Sequence, residues 1–310
     1  MNTSKALPRP GAKPQGLFSA INKHKVSYLF VAPYLLLFVL FTVLPVLIAV
    51  VLSFTSFNVL EPPEFVGFSN YSTLFFQDTV FIKGLQNTIV LAAILGPGGY
   101  LLSLCLAWFI NELTPKVRAF VTLIFYAPTI SGNVYMIWSL LFSGDSYGYI
   151  NSTLIRLGII QAPIQFLKNT EYMMPIVIGV SLWMSLGAGF LSFIAGFQGV
   201  DKSYYEAAAM DGVKNRWQEL WFVTLPLMRN QMMFSAVMSI TSAFGVGAVI
   251  TGLFGSPSTD YAVHTIMNHL EDYGGTRFEM GYASAIATLL FIIMVGTNLV
   301  VRKLVAKVGS

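Results

Sequence analysis

The chain has 310 residues, of which 55% are apolar and only 10% are charged, and its formal net charge is +4. Average soluble domains carry about 25% charged residues, so this composition excludes an ordinary soluble domain and predicts a membrane protein. The basic residues lie mainly beside predicted membrane spans, so the positive charge indicates topology and no nucleic-acid partner.

Six apolar stretches are each long enough to cross roughly 30 Å of hydrocarbon. None of them contains Asp, Glu, Lys or Arg, and they cover residues 28–53, 87–111, 119–142, 172–198, 231–254 and 280–301.

The Lys and Arg residues are distributed unevenly among the loops. With a basic tail at 1–27 placed in the cytoplasm, 14 of the 18 Lys and Arg residues fall on the cytoplasmic side. This asymmetry follows the positive-inside rule, and an even number of spans returns the chain to the cytoplasm. We therefore predict an all-α membrane protein with six transmembrane helices and both termini cytoplasmic. The six-span domain covers 28–303, and a second tail covers 304–310.

The predicted spans contain no histidine either. Proton-driven carriers usually keep a carboxylate or histidine within the bilayer, so we expect the energy for transport to come from elsewhere. An ion-coupled secondary carrier for a neutral solute stays open as an alternative, because carbonyl and hydroxyl oxygens can form a sodium site. The lack of membrane charge also favours a neutral, hydroxyl-rich cargo.

Motifs for catalysis and metal binding are absent from the sequence. There is no GxxxxGK[ST] loop and no HExxH motif. His264 and His269 are predicted to be loop residues, and Cys105 a small buried apolar residue. We expect no catalytic residue, no metal and no cofactor in this chain. A membrane scaffold without transport activity is a further alternative.

The predicted loop at 199–230 is longer than a link between two spans requires. Ser203 and Glu206 have the spacing of a capping box, which predicts that a short helix begins at Tyr204. Gly212 stands where a left-handed residue would end this helix.

The second half of the same loop has aromatic and apolar residues at helical spacing. Trp217, Leu220 and Trp221 are predicted to form one stripe against the bundle or the interface. The whole loop contains four basic and four acidic residues. An ordered helix-turn-helix of this kind predicts a docking surface for a cytoplasmic partner.

The segments "EAAAMDG" and "VTLP" in this loop resemble the EAA loop of the membrane subunits of binding-protein-dependent ABC importers. In that family the loop binds in a cleft of the ATPase. The resemblance implies that ATPase coupling involves Tyr205, Glu206, Ala207, Ala208, Asp211, Gly212, Leu225 and Pro226.

Further stretches resemble the carbohydrate branch of this family, and specifically the first of its two paired permeases. They are "FVGFSNY", "LQNTIV", "YAPTISGNVYMIWSLLF" and "YASAIATLLF". In maltose-type permeases the sugar is held by side chains of the spans that flank the EAA loop. The matching positions imply a substrate path lined by Ser181, Met184, Ser185, Ala188, Ser239, Ser242 and Ala243.

The resemblance implies a type I ABC importer permease for a sugar or oligosaccharide in a bacterial cell membrane. Its expected partners are a second homologous permease, two cytoplasmic ATPase subunits that bind ATP and Mg, a solute-binding protein and membrane lipid. An ABC permease for a solute other than a sugar is the nearest alternative.

Overall fold

The computed structural model of the protein describes residues 25–132 and 134–305. Most of the predicted basic tail at 1–27, and most of the predicted tail at 304–310, therefore lie outside the described residues. The described chain is almost entirely helical, and its one β pairing is an isolated bridge between Thr55 and Phe65. The contacts divide the chain into two units, Met1–Val51 and Leu52–Ser310.

The first unit contains one long helix, α1, which runs over Lys25–Leu52 into the first residue of the second unit. It includes Pro33 and one wider π turn, Val39–Val43. No residue of α1 is buried within the chain.

The second unit contains the remaining helices, most of which are apolar. Five of them are α2 (Ser69–Phe76), α3 (Thr79–Asn111), α4 (Pro115–Ile130), α5 (Tyr135–Leu141) and α6 (Tyr149–Arg156). The next are α7 (Thr170–Met184), α8 (Ala188–Gly199), α9 (Lys202–Met210) and α10 (Arg216–Glu219). The last are α11 (Arg229–Phe244), α12 (Gly247–Phe254), α13 (Ile266–Glu271) and α14 (Met280–Val305).

Four helices in the described chain are long and apolar enough to cross a membrane: α1, α3, the combined α11 and α12, and α14. Two further pairs, α4 with α5 and α7 with α8, are each bent by more than 40°. With each bent pair taken as one span, the total is six. The predicted all-α fold with six apolar spans is confirmed.

The bend between α7 and α8 has a local cause. Gly187 leaves the helical conformation, with φ −103° and ψ −139°, so the helical hydrogen bonds are interrupted. The Thr129 hydroxyl of α4 donates to the carbonyl of Leu186 at 3.1 Å and satisfies part of the interrupted backbone. Such partners are required because free backbone groups are costly within a membrane.

The core of the second unit forms around α3, which packs against α7, α8 and α11. Small residues allow α8 and α11 to approach closely, and the Ser235 hydroxyl donates to the carbonyl of Gly189 at 2.7 Å. Beside this contact lies a cluster of large buried side chains, namely Ile110, Leu186, Phe190, Phe193, Phe197, Leu220, Leu225, Met228 and Met232.

α3 contains the predicted span at 87–111 but begins earlier, at Thr79, because the Asp78 side chain accepts a hydrogen bond from the Phe81 amide at 2.8 Å and caps the helix there. One predicted detail of this span is wrong. Cys105 is exposed rather than buried, because it lies on the face of α3 that is turned away from this chain's core.

Candidate functional site

The short helix α9 is capped at its N-terminus by Asp201. The Asp201 carboxylate accepts a hydrogen bond from the Ser203 amide at 2.9 Å, and the helix begins at Lys202. The predicted capping box of Ser203 and Glu206 is therefore wrong: Asp201 already occupies the capping position, and Ser203 lies within the first turn.

The helix α9 is terminated as predicted by Gly212, which lies two residues after Met210 and has a φ of +91°. The amides of Gly212 and Val213 donate to the carbonyls of Ala209 and Ala208 at 3.3 and 3.0 Å. These two bonds form a Schellman motif, which favours glycine at the left-handed position.

Most of the predicted coupling residues lie on this helix and its C-terminal turn. α9 buries none of its residues, and Met210 at its end is 89% exposed. Leu225 is instead buried, at 3% exposure, within the cluster beside α8. Of the other predicted coupling residues, Glu206, Ala207, Asp211 and Gly212 are exposed, and Tyr205, Ala208 and Pro226 are half-buried.

The second half of the loop only partly follows its prediction. After α10 comes a π turn, Leu220–Thr224, which adds a residue to the turn and rotates the side chains that follow. Leu220 is buried, whereas Trp217 and Trp221 are exposed, so the predicted single stripe is wrong. The Trp217 ring instead lies 4.8 Å from the ring of Trp108, near the end of α3.

Polar contacts connect the two halves of the loop. The hydroxyls of Tyr205 and Thr224 are 3.0 Å apart. The Arg216 guanidinium contacts the carboxylates of Glu219 at 2.8 Å and Glu112 at 3.0 Å. A polar cavity of about 570 Å³, lined in part by these five residues, lies between α9, α10 and the end of α3.

The structure does not bring the predicted path residues to one surface. Ser185 packs against Gly99 of α3, and its hydroxyl donates to the carbonyl of Leu182 at 2.7 Å. Of the other six, Ser242 is exposed, Ser181 and Ala243 are buried, and Met184, Ala188 and Ser239 are half-buried.

Around Ser242, however, small residues share one exposed face of α11 and the start of α12. Thr241, Gly245 and Ala248 follow each other at helical spacing beside it, and all four residues are exposed. The prediction omitted Gly245 and Ala248, although the spacing of small residues in the sequence could have indicated them.

A buried polar network lies at the N-terminus of α3, at the opposite end of this helix from the α9 loop. His264 Nε2 is 3.2 Å from His269 Nδ1, and His269 Nε2 is 2.9 Å from Asp78 Oδ2. The Tyr282 hydroxyl donates to the same Asp78 oxygen at 2.9 Å. Both histidines are only 2% exposed. His264 is a loop residue as predicted, whereas for His269 the prediction is wrong, because this residue lies in the helix α13. α13 and the residues before it fold back onto α3 and α14.

Burial controls the charges in this network. It lowers the pKa of His264 to about 4 and lowers the pKa of His269, where the attraction of Asp78 offsets the effect only in part. Burial raises the pKa of Asp78, but hydrogen bonds from the Phe81 amide, Tyr282 and His269 bring the net pKa below its usual value. At neutral pH the network therefore holds two neutral imidazoles and one carboxylate. No three His, Cys, Asp or Glu residues of the described chain are arranged to hold a metal ion.

The apolar spans and the exposed helix between α8 and α11 define the chain as a multi-pass membrane protein. Residues 14–310 match the family described as "Binding-protein-dependent transport system inner membrane component". The chain is 31% identical over 276 residues to the probable ABC transporter permease protein YesP of Bacillus subtilis (strain 168), covering 86% of each chain.

Two further similarities cover nearly the whole chain. The arabinooligosaccharides transport system permease protein AraP of Bacillus subtilis is 28% identical, over 98% of this chain and 96% of AraP. A chain of the bacterial alginate ABC transporter, solved in complex with an alginate pentasaccharide-bound periplasmic protein, is 26% identical with a TM-score of 0.74, over 96% and 100% of the two chains. The protein therefore belongs to the family of binding-protein-dependent transport system inner membrane components.

Proposed function

We propose that this protein is a permease subunit of an ATP-driven importer for a sugar or oligosaccharide in a bacterial cell membrane. The observation that best supports this function is the helix α9, which is capped by Asp201 and has no buried residue. It occurs in a chain whose relatives include ABC transporter permeases. The sugar assignment is supported by AraP and by the alginate transporter chain, which match nearly all of this chain.

The energy for transport comes, in this proposal, from two cytoplasmic ATPase subunits that bind ATP and Mg. The loop at 199–230 faces the cytoplasm, together with both termini, and α9 inserts into a cleft of one ATPase. Glu206, Ala207 and Met210 are suited to this contact because they are exposed on a helix that the rest of the chain does not cover. This chain contributes no catalytic group to ATP hydrolysis.

The translocation path lies, in the same proposal, between this permease and a second homologous permease. The exposed face of α11 and α12 around Ser242 is suited to line it, because hydroxyls and small side chains can accommodate a neutral sugar without a charge to neutralise. A solute-binding protein delivers the sugar from the opposite side of the membrane to α9.

The proposed function is tested by reconstituting this permease with the second permease, the ATPase and the binding protein in liposomes. Radiolabelled arabinooligosaccharides and an alginate pentasaccharide serve as neutral and acidic probes. We expect uptake of the neutral probe to require ATP hydrolysis and to persist when ionophores collapse the ion gradients. Uptake driven by an ion gradient without ATP would contradict the proposal, and ATP-driven uptake of a solute other than a sugar would overturn the sugar assignment alone.

The proposed path face predicts different thiol accessibility at two neighbouring positions. In a Cys105→Ser background, we expect a membrane-impermeant, water-soluble thiol reagent to label Ser242→Cys readily in the complex. Ala243→Cys is the matched control, because Ala243 is 3% exposed and packs on the opposite face of α11, against α3, α7 and α12. Equal labelling of both cysteines would show that Ser242 does not line the translocation path.

A further inference from the structure

Tyr205 connects the exposed helix α9 to the packed bundle. Among the side-chain hydrogen bonds of the described residues, the one between Tyr205 and Thr224 is the only one that connects α9 to the bundle. Tyr205 is half-buried, in contrast to Tyr204 beside it, which is 54% exposed. Two adjacent tyrosines therefore differ in whether they face the bundle.

The direction of this hydrogen bond follows from its neighbour. The Thr224 hydroxyl donates to the main-chain carbonyl of Glu219 at 3.2 Å, so its oxygen is free to accept from Tyr205. Glu219 immediately precedes the π turn, Leu220–Thr224, and Thr224 is the last residue of that turn. The Tyr205 hydroxyl thus donates to the last residue of this π turn.

Thr224 lies where the loop enters the core. It is 3% exposed, and its neighbour Leu225 packs into the cluster with α3 and α8. The ion pair of Arg216 with Glu112 also connects the loop to α3, but its side chains are 65% and 46% exposed. Exposed pairs contribute little, so the contact with buried Thr224 is the stiffer of the two connections.

We propose that Tyr205 is a positioning residue that transmits movement of α9 to the start of α11 through Thr224, rather than a contact to the ATPase. This inference rests on the proposed function, in which α9 binds the ATPase. A helix that buries no residue can tilt against its bundle, and a hydrogen bond to a buried partner limits that tilt.

The test measures how strongly ATP changes the labelling rate of Ser242→Cys in the Cys105→Ser complex with its ATPase. Tyr205→Phe removes only the donor, Thr224→Val removes the acceptor at nearly constant shape, and Tyr204→Phe is the matched control. We expect Tyr205→Phe to reduce the ATP-dependent change about three- to tenfold, the range expected for one hydrogen bond. Tyr204→Phe should leave the change as in the parent, and the ATPase should co-purify with every variant.

The double variant separates this role from a general loss of structure. If the two hydroxyls act through each other, Tyr205→Phe with Thr224→Val should be no worse than either single variant, and Thr224→Ser should restore the parent response. Additive losses, an unchanged response in Tyr205→Phe, or loss of the ATPase from that variant would each overturn the inference. A parent complex that does not bind the ATPase, or does not respond to ATP, would contradict the proposed function itself.

Discussion

Asp78→Leu should lower the free energy of unfolding of this protein by about 3 to 5 kcal/mol, because several buried donors lose their acceptor at once. The carboxylate caps α3 through the Phe81 amide and accepts hydrogen bonds from His269 and Tyr282. We expect a melting temperature on the order of 10 °C lower in detergent, measured by thermal unfolding.

Asp201→Leu provides the matched control. Asp201 is also an N-cap aspartate, but it is exposed and accepts hydrogen bonds only from Ser203 among the described residues. Its loss should cost about 1 kcal/mol. Asp78→Asn should fall between the two leucine variants, since its side-chain oxygen can still cap α3. Equal melting temperatures for Asp78→Leu and Asp201→Leu would show that the network contributes no stability.

Acid should weaken the same network. The pKa of His264 is about 4 in the folded chain and about 6.5 in the unfolded chain, so the unfolded chain binds more protons between these values. The stability is fully present above about pH 6.5 and decreases as the pH falls towards 4, by at most about 3 kcal/mol from this group. In the Asp78→Leu variant, the free energy of unfolding should already be lower at neutral pH and should decrease further as the pH falls.

Glu206→Lys combined with Gly212→Asp should abolish both ATP-driven uptake and co-purification of the ATPase. Lysine reverses the charge at an exposed position of α9. An aspartate at position 212 must adopt the backbone φ of +91° that Gly212 has, and this conformation is unfavourable for a residue with a β-carbon. No atom lies within 4 Å of the position of that β-carbon, so the chain should still fold.

The control for this pair is Glu64→Lys, which reverses an exposed charge at the opposite end of the spans. It should leave the ATPase bound. The melting temperature of the Glu206 and Gly212 double variant should stay within a few degrees of the parent, which separates a lost docking surface from a lost fold. Survival of both uptake and co-purification would mean that α9 is not the docking element.

The spans were predictable because a bilayer imposes one strong requirement, a long run without charge, and the sequence satisfies it six times. The bends were not predictable in the same way. Gly187 lies in an apolar run like its neighbours, and its exit from the helix depends on Thr129 of another helix, which accommodates the broken turn.

The sequence predicted that the helix α9 exists, but it did not predict the residue at which α9 begins. Asp201 and Ser203 are both good N-cap residues two positions apart, and the backbone geometry that chooses between them is not encoded in their types. The π turn after α10 is likewise invisible to a count of helical spacing.

The histidine network was missed for a different reason. His269 and Asp78 are 191 residues apart, and Tyr282 is 204 residues from Asp78. Such pairs become neighbours only when the outer loop before α14 folds back onto α3. In the sequence, each of the three reads as an isolated polar residue beside a span.

The helix α9 is capped at its N-terminus by Asp201 and ended by Gly212, and its exposed side chains do not contribute to the packing of the bundle. In the proposed importer, the residues that bind the ATPase are therefore not the residues that hold the membrane-spanning helices together. Substitutions at Ala207 or Met210 can alter which hydrolase is engaged at little energetic cost to the spans. During evolution, such a permease can thus acquire a different ATPase subunit while its membrane-spanning helices stay the same.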